Sequence, residues 1–283
     1  SSAASDVYKR QQSRLKTMLE YKNLELGGCY HQAPMSYPAL LSWCEKKAEQ
    51  FAPYITDTGN YIAAALSNHQ KVVLEAQLGA MRDIDYGIFP YTSSSSTISA
   101  YGPIGAGIPG TLPDHIVGVL KAYSTCVGAG PFTAEKAMPE KWMESLRKSG
   151  GEYGAATGRP RRVGPFDAVA SAYGLKCQNA DKIALTKLDV LSHMDEIPVI
   201  TSYKLNDEII TEFDPLDDLD SMTPVIQMLP GWNTDISKCR KYEELPENAR
   251  KYIETLEHLL NHEIQFISVG AERNQYLTKG EWL

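Results

Sequence analysis

The first seventy-five residues show apolar side chains at near-helical spacing, followed by a short apolar run. The spacing predicts helices over residues 13–26, 37–51 and 59–66, the first ending at a Gly-Gly pair. Residues 71–75 (KVVLE) are brief, apolar and β-branched. That composition predicts a buried strand.

Beyond residue 113 the pattern alternates between helical and extended periods. Helices are predicted over residues 114–123, 139–148, 167–176 and 246–260. Strands are predicted over residues 183–186, 197–205, 208–213, 225–229 and 263–269, the second and third forming a hairpin. This alternation predicts an α/β fold with a central, mostly parallel sheet flanked by helices.

Two long segments carry no periodic pattern. Residues 76–113 are rich in Gly, Pro, Ser and Thr, and residues 150–164 (GGEYGAATGRPRRVG) are rich in Gly and Arg. Long loops are uncommon in compact domains and are usually functional. Open α/β sheets bind ligands at loops that follow the strand ends, so these segments are candidate binding loops.

Composition narrows the function classes. The 283 residues carry a net charge of −7, which argues against a general nucleic-acid binder because such proteins need a broad basic face. There is no run of about 18 apolar residues, so no membrane span is expected. The five cysteines are scattered and form no CxxC pair. They indicate reduced thiols in a cytoplasmic protein.

The tetrapeptide of residues 186–189 (TKLD) follows a predicted strand. Guanine presents two adjacent donors that one carboxylate accepts together, and adenine lacks this donor pair. Asp189 would therefore select guanine, since adenine would leave it unsatisfied. The stem of Lys187 would lie along the base with its ammonium group in water. The alternative is an ordinary strand-end turn with a surface lysine.

Two polar loops are candidate anion sites. Arg159, Arg161 and Arg162 lie in a Gly-rich stretch, where guanidinium groups and backbone N–H groups can approach phosphate or carboxylate oxygens. Residues 92–97 (TSSSST) offer six hydroxyl groups. The alternatives are a solvated basic turn and a flexible serine-rich surface.

Two further patterns resemble known motifs, and one common motif is missing from the sequence. Residues 105–110 match GxGxxG, but no strand is predicted before them, so dinucleotide binding is not expected. His258 and His262 are four residues apart on a predicted helix but lack the HExxH order, so a solvated helix face is expected and no metal site. The chain contains no GxxxxGK[ST] phosphate loop.

Several longer segments follow one another in a characteristic order. Residues 72–97 (VVLEAQLGAMRDIDYGIFPYTSSSST) correspond to a stretch running from EGAQG to DIDxGTYPYVTSSN. Residues 117–132 and 150–170 correspond to LGILKAYxTRVGAGPF and GxEFGATTGRxRRxGWLDxVA. The segments TKLDVL, LPGW, LPENARKYI and ISVGAER follow in register. From about residue 13 to its end, the chain thereby resembles the adenylosuccinate synthetase family.

The resemblance implies a GTP-dependent ligase of purine biosynthesis that joins L-aspartate to IMP, giving adenylosuccinate, GDP and phosphate. IMP would contact Gln77, Ser93 and Arg159. Aspartate would contact Ala155, Ala156, Thr157, Gly158, Arg159, Pro160 and Arg161. GTP would contact Arg161, Lys187, Leu188, Asp189, Ser268, Val269 and Gly270.

Some positions depart from the family pattern. Counting back from the DID segment, the family glutamine falls on Leu78, and Gln77 lies one residue earlier. We carry the role of that glutamine, which orients the 6-oxygen of IMP, to Gln77. The family threonine that contacts the IMP phosphate aligns with Ser93, which keeps the hydroxyl group. One of the two threonines of the aspartate loop is Ala156.

The resemblance also implies features that this chain does not carry. The family's catalytic Asp and His, its Mg²⁺ ligands, its phosphate loop and an Arg that reaches across a homodimer belong to an N-terminal third. The expected fold is therefore an N-terminally truncated relative of the P-loop nucleotide-binding folds. No catalytic residue is assigned within the chain.

The first residues point the same way. Residues 1–11 (SSAASDVYKRQ) can be encoded by a transposase sequencing adapter read in frame. We expect them to be a non-native tail, with residues 12–283 forming a partial domain that is inactive alone. The alternatives are a natural polar tail and, for the function, a non-catalytic paralogue that binds guanine nucleotides.

Overall fold

The computed structural model describes residues 2–155, 157–280 and 282, with side chains from residue 10 onward. The chain divides into two compact units, residues 1–64 and residues 65–283. The helices are α1 (Ser2–Tyr30), α2 (Tyr37–Phe51), α3 (Thr58–Ser67), α4 (Tyr101–Gly105), α5 (Glu140–Gly150), α6 (Ala168–Gln178) and α7 (Glu247–Leu260).

The strands are short except for two. In chain order they are β1 (Val117–Lys121), β2 (Ser124–Cys126), β3 (Arg162–Gly164), β4 (Phe166–Asp167), β5 (Lys182–Thr186), β6 (Glu196–Leu205), β7 (Glu208–Ile210), β8 (Thr223–Pro230), β9 (Phe266–Ser268) and β10 (Tyr276–Thr278).

The first unit contains α1 and α2. Helix α1 begins at Ser2 rather than near residue 13, and it continues through the Gly-Gly pair to Tyr30. The side chain of Asn23 exchanges two hydrogen bonds with the backbone of Met35, at 3.0 and 2.8 Å. These bonds fix the turn that leads into α2, whose bounds match the prediction and whose first turn contains Pro38.

The second unit is built on two four-stranded sheets. In the first, with strand order β1-β5-β9-β10, β5 pairs in parallel with both β1 and β9, and β10 is antiparallel. In the second, β6 pairs in parallel with β4 and antiparallel with β7 and β8. Strands β2 and β3 form a separate antiparallel pair. The first sheet confirms the predicted mostly parallel arrangement.

Local sequence explains where the helices of this unit begin and end. The Asp167 carboxylate caps α6 by accepting a hydrogen bond from the Ala170 amide at 3.0 Å. Helices α5, α6 and α7 are each followed by a C-cap residue in the left-handed conformation that favours Gly and Asn, namely Gly151, Asn179 and Asn261. These signals are why the predicted and observed bounds of the three helices agree closely.

The main core lies between the parallel sheet and helices α5, α6 and α7. Fully buried side chains include Ile183 and Leu185 of β5, Ile267 of β9, and Tyr252 and Leu256 of α7. A smaller hydrophobic cluster around Tyr203 of β6 packs at the second sheet. Alternate residues of β5 point to opposite faces of the sheet, and both faces are covered, which is why the strand reads as continuously apolar.

Two predicted elements were wrong. Residues 114–123 do not form a helix, because Val117–Lys121 form strand β1 and pair with β5. A Cβ atom on Gly118 would lie 2.5 Å from the side chain of Leu175, so only glycine lets the strand approach α6. Residues 71–75 form no strand, and the side chain of Val73 is 89% exposed. Among the described residues, no neighbouring strand pairs with this segment.

The end of the chain also differs from the prediction. The closing strand is confined to Phe266–Ser268, and β10, which no pattern predicted, pairs with it in antiparallel register.

Among the described residues, no helix is both long enough and apolar enough to cross a bilayer. All five cysteines are unpaired.

Candidate functional site

Strand β5 delivers the TKLD segment to the edge of the parallel sheet. The Thr186 hydroxyl donates to the Leu120 carbonyl at 3.0 Å, which ties the strand end to β1. Lys187 then adopts a left-handed conformation, with φ of 62°, and a 3₁₀ helix begins at Leu188. Leu188 is fully buried and anchors the turn. The backbone reversal leaves the following residue, Asp189, facing a cavity.

Asp189 is a half-buried carboxylate whose hydrogen-bond donor, among the described residues, is its own backbone amide. Among the described residues, no other side chain or amide donates a hydrogen bond to it. Burial raises its pKa above the ordinary value, with a smaller contribution from the charge of Asp235. The cavity beside it has a volume of about 460 Å³ and is lined by Ser149, Asp189, Val190, Ser192, His193, Asn233, Thr234 and Asp235. Asp189 is therefore an unsatisfied acceptor available to a ligand that donates hydrogen bonds.

The segment Ser268–Gly270 lies beside this turn. Strand β9 is parallel to β5, with Leu185 opposite Ile267, so both segments leave the sheet at the same edge. The Val269 side chain is fully buried and its amide donates to the Gln275 carbonyl at 2.9 Å. The structure thus brings together the predicted GTP residues that follow β5 and β9.

The sequence suggested that the ammonium group of Lys187 lies in water. The structure shows it bound within the protein instead. The ammonium nitrogen donates to the Gly150 carbonyl at 2.5 Å and lies 3.4 Å from the carboxylate of Glu152. The lysine therefore connects the turn after β5 to the loop after α5. Its side chain is 38% exposed. Part of the stem thus remains open to a ligand.

Glu152 is the centre of this junction, and sequence reasoning missed it. Its side chain is fully buried and accepts hydrogen bonds from Lys121 at 2.9 Å, Tyr123 at 2.7 Å and Arg161 at 2.8 Å. The signal that could have found it was a lone acid in a Gly- and Arg-rich loop. A loop of that composition needs an internal counter-charge when it folds back on itself.

Electrostatics keep Glu152 ionised. Burial alone would raise its pKa, but the hydrogen bonds from Tyr123, Lys121 and Arg161, together with the charge of Lys121, lower it to about 2. Burial lowers the pKa of Lys121 more than Glu152 raises it. At neutral pH the site therefore contains one buried negative charge surrounded by cations.

The loop that follows Glu152 folds back on itself. Tyr153 and Pro160 form an isolated antiparallel bridge, and the Gly154 amide donates to the Arg159 carbonyl at 2.9 Å. The Arg161 amide donates to the Glu152 carbonyl at 2.9 Å, which closes the base of the loop. The backbone thereby holds both ends of the predicted aspartate loop together.

The residues between those ends are presented to solvent. Ala155, Thr157, Gly158, Arg159 and Pro160 are all exposed. The predicted residue Ala156 lies outside the described residues. Among the described residues, nothing pairs with the guanidinium group of Arg159. This cation is thus available to an anionic ligand.

Two of the three arginines predicted to form one anion site already have acidic partners. Arg162 forms a bidentate ion pair with Glu135 and donates to the Gly130 carbonyl at 2.7 Å. Its guanidinium group also lies over the ring of Phe132. Arg161 is paired with Glu152. Of the three, Arg159 is the arginine whose charge is not already used within the described structure.

The predicted IMP residues Gln77 and Ser93 belong to a loop that is ordered by polar contacts. The buried carboxylate of Asp83 accepts hydrogen bonds from the amides of Thr97, Asp85 and Tyr86 at 2.6 to 3.0 Å. Its pKa is lowered because these amide bonds outweigh the effect of burial. This loop is therefore a fixed structure rather than a flexible serine-rich surface.

Arg82 attaches this loop to its neighbours. Its guanidinium group donates to the carbonyls of Tyr91 at 2.5 Å, Ala129 at 3.1 Å and Val127 at 3.0 Å. The turn of residues 127–130 is thus held by Arg82 on one side and by Arg162 on the other. The serine-rich loop that contains Ser93, this turn and strand β3 are consequently neighbours in space.

The predicted IMP residues differ in their local contacts. The Ser93 amide donates to the Arg82 carbonyl at 2.8 Å, and its hydroxyl contacts the Ser95 carbonyl at 3.2 Å. Gln77 is exposed, and Leu78 after it has a left-handed backbone with φ of 75°. Within the described range, no hydrogen bond links Gln77, Ser93 and Arg159.

The GxGxxG-like segment and the two histidines of the last helical region lie where no nucleotide or metal site was expected. Residues 105–110 follow the short helix α4 and no strand. His258 is exposed on α7, and His262 lies just beyond the end of that helix, where its ring bonds to the Leu260 carbonyl at 2.9 Å. Among residues 2–155, 157–280 and 282, no group of three His, Cys, Asp or Glu side chains could hold a metal ion.

Comparisons with known proteins identify relatives that carry the same segments. Residues 4–277 match the family model described as adenylosuccinate synthetase. The adenylosuccinate synthetase of Carboxydothermus hydrogenoformans is 40% identical over 263 residues, which cover 93% of this chain and 61% of the relative. That of Caldanaerobacter subterraneus subsp. tengcongensis is 37% identical with the same coverage.

A solved structure agrees with these sequence matches. The structure of fully ligated adenylosuccinate synthetase from Plasmodium falciparum superimposes with a TM-score of 0.85 at 33% identity, covering 95% of this chain and 64% of that one. The chain spans about 61% of the length of the curated relatives it matches.

Proposed function

Because the chain belongs to the adenylosuccinate synthetase family, we propose that it forms the substrate-binding part of a GTP-dependent ligase. The reaction joins the amino nitrogen of L-aspartate to IMP and gives adenylosuccinate, GDP and phosphate. In this proposal the chain recognises guanine, holds aspartate and contacts part of IMP.

The observation that carries the proposal is the unsatisfied carboxylate of Asp189. It is half-buried, faces a cavity and receives no hydrogen bond from elsewhere in the described structure. Guanine supplies two donors on one edge, which match two carboxylate oxygens, whereas adenine supplies no such pair. A ligand without that pair leaves Asp189 buried and unpaired, which costs about 1–3 kcal/mol.

The neighbouring segments complete the proposed guanine subsite. The partly exposed stem of Lys187 would pack along the base while its ammonium group stays fixed to the Gly150 carbonyl. Ser268–Gly270 leave the sheet at the same edge and would close the other side of the base through main-chain groups. The buried side chain of Val269 leaves its main chain, rather than a hydroxyl group, to make this contact.

The proposed aspartate and IMP subsites use Arg159 and its surroundings. The exposed Arg159 guanidinium and the hydroxyl group of Thr157 would bind a carboxylate or a phosphate. Ser93 would supply a hydroxyl group to the IMP phosphate, next to the turn that Arg82 holds. Gln77 is exposed and would turn toward the 6-oxygen of IMP.

The chemistry of the ligation itself is not assigned to residues of this chain. The family uses a general base, a general acid and Mg²⁺ in the transfer of the GTP phosphoryl group to the 6-oxygen of IMP. The described residues do not form a metal site, and we assign Mg²⁺ no residue here. We therefore expect the purified chain to make no adenylosuccinate from IMP, GTP and L-aspartate.

Nucleotide titration tests the binding proposal directly. By isothermal titration calorimetry, the chain should bind GDP at least about tenfold more tightly than ADP. Asp189→Asn should reduce this preference, since the lost bidentate pair is worth about 1.5–3 kcal/mol. Asp235→Asn is the matched control, because Asp235 lines the same cavity but is exposed. Equal loss of preference in both variants would contradict the role of Asp189.

A turnover assay tests whether the chemistry of the ligation lies outside this chain. If the chain binds GDP but shows no synthesis, both the ligase fragment and a non-catalytic guanine-nucleotide-binding relative remain consistent. Measurable synthesis of adenylosuccinate by the chain would overturn the assignment of the chemistry to groups outside it. The binding preference and the turnover thus test different parts of the proposal.

A further inference from the structure

A single buried carboxylate connects two loops to which different substrates are assigned. One carboxylate oxygen of Glu152 accepts from Lys121 and Tyr123 and lies 3.4 Å from the Lys187 ammonium nitrogen. The other oxygen accepts from Arg161 at 2.8 Å. The two oxygens of one rigid, planar group thus contact the guanine turn and the arginine loop at the same time.

We propose that Glu152 is a positioning residue that couples the guanine turn (residues 186–191) to the arginine loop (residues 153–161). The proposal rests on the proposed function for the identity of the ligands, but the coupling itself is a property of the fold. No residue of the chain other than Glu152 contacts both segments through one carboxylate within the described structure.

Charge explains why this position needs an acid. Lys121, Arg161 and Lys187 bring three positive charges to one buried point, and Glu152 supplies the counter-charge. Without it, the three cations would repel one another in a medium of low dielectric constant. Each would then move toward solvent independently, and the two loops would lose their fixed relative position.

The backbone of Glu152 strengthens the connection. Its carbonyl accepts from the Arg161 amide at 2.9 Å, and its own amide donates to the Arg147 carbonyl at 2.9 Å. Glu152 is therefore fixed both to the end of α5 and to the base of the arginine loop. When a ligand orders Lys187, the constraint passes through the carboxylate to Arg161 rather than through flexible backbone.

Glu152→Gln is the informative substitution, because glutamine keeps the size of the side chain but removes its charge. One of the two oxygens becomes an NH₂ group that faces a cation. Glu144→Gln is the matched control, since Glu144 lies in the same neighbourhood of sequence on α5 and pairs only with Lys148 at the surface. Tyr123→Phe is a milder variant that removes one donor to Glu152 and no charge.

Amide hydrogen exchange of the free chain, read by mass spectrometry, tests the coupling without a ligand. Glu152→Gln should accelerate exchange about tenfold or more in both segments, residues 153–161 and 186–191, with a smaller joint effect in Tyr123→Phe. Glu144→Gln should leave both segments unchanged. Acceleration of one segment alone would overturn the proposal, and Tyr123→Phe decides the matter if Glu152→Gln does not fold.

Exchange with added GDP gives a readout that a purely structural role would not move. In the unaltered chain, GDP should slow exchange in residues 186–191 and also in residues 153–161. In Glu152→Gln, GDP should still protect the first segment but no longer the second. Protection of both segments in that variant would contradict the coupling.

Exchange of the free chain and exchange with added GDP test the coupling separately from the proposed function. If the unaltered chain does not bind GDP, the guanine subsite is wrong, and the exchange of the free chain still decides the role of Glu152. If GDP binds and only the joint acceleration fails, the guanine subsite stands and the coupling is wrong.

Discussion

The hydroxyl group of Tyr203 donates a hydrogen bond to the carboxylate of Asp167 at 2.7 Å inside the smaller core. Asp167 also caps α6 through the Ala170 amide. Burial raises the pKa of Asp167 to about 6, because the two hydrogen bonds compensate only in part for the loss of water. The pair therefore makes the stability of this unit depend on pH.

The pH dependence has a definite sign. The folded-state pKa of Asp167 lies above the unfolded value of 3.8, so its contribution is fully present below about pH 4 and is lost as the pH rises through 6. Asp167→Asn keeps the cap and removes the titration. Between pH 4 and 7 the unaltered chain should lose up to about 3 kcal/mol relative to this variant.

Urea denaturation at several pH values measures this difference. Asp207→Asn provides the control, because the Asp207 side chain is 93% exposed and pairs only with Lys204. A constant difference in unfolding free energy between the unaltered chain and Asp167→Asn across this pH range would show that Asp167 does not titrate there.

Removal of Arg162 should destabilise the chain far more than removal of Arg159. Arg162→Ala breaks the ion pair with Glu135 and the bond to the Gly130 carbonyl, and should cost about 2–3 kcal/mol of unfolding free energy. Arg159→Ala should change it by no more than about 0.5 kcal/mol, because Arg159 is exposed. Thermal and urea denaturation check both values, and equal losses would contradict the assignment of Arg162 to structure.

Gly231, which follows β8, is confined by the backbone of Met194 and Asp195 just before β6. A Cβ atom there would lie 1.8 Å from the Met194 carbonyl oxygen, which the main chain cannot move aside. Gly231→Ala should therefore cost roughly 3 kcal/mol or more. Gly110→Ala is the control, since open space surrounds Gly110, and its effect should stay within about 1 kcal/mol. Urea denaturation measures both variants, and equal stabilities would contradict the close contact between Gly231 and the Met194 carbonyl.

Leu78 occupies a left-handed backbone conformation that costs a leucine about 1–2 kcal/mol. Leu78→Gly should therefore raise the unfolding free energy by about 1 kcal/mol, since its side chain is 58% exposed and little packing is lost. Leu112 is more exposed and lies outside the left-handed region. Leu112→Gly should lower stability by about 0.5–1 kcal/mol. Changes of the same sign in the two variants would contradict this reading.

Short-range signals made much of the fold predictable. Helices α2, α5, α6 and α7 have regular apolar spacing and recognisable end signals, such as Asp167 before α6 and Asn261 after α7. The TKLD turn was predictable because it follows a buried strand. These features depend on neighbours within a few residues, and the sequence contains all of them.

Short apolar runs were not decided by their own sequence. Val117–Lys121 form a strand because β5 lies beside them and Gly118 fits against Leu175, although the run by itself resembles a helix. Residues 71–75 have strand-like composition, yet Val73 is exposed and among the described residues no strand pairs with it. Strand formation needs a partner, and the partner is distant in sequence.

The candidate site shows the same division. The amino-acid sequence by itself determined the family, and it predicted Asp189 and the three arginines Arg159, Arg161 and Arg162 as candidate site residues. Only the tertiary structure decided that Arg162 forms an ion pair with Glu135. It also decided that the Glu152 carboxylate lies among three cations, Lys121, Arg161 and Lys187. Charges compensate one another through space, and Lys121 is 31 residues from Glu152 along the chain. No spacing rule specifies such a pairing, because it depends on which strand ends meet at one edge of the sheet.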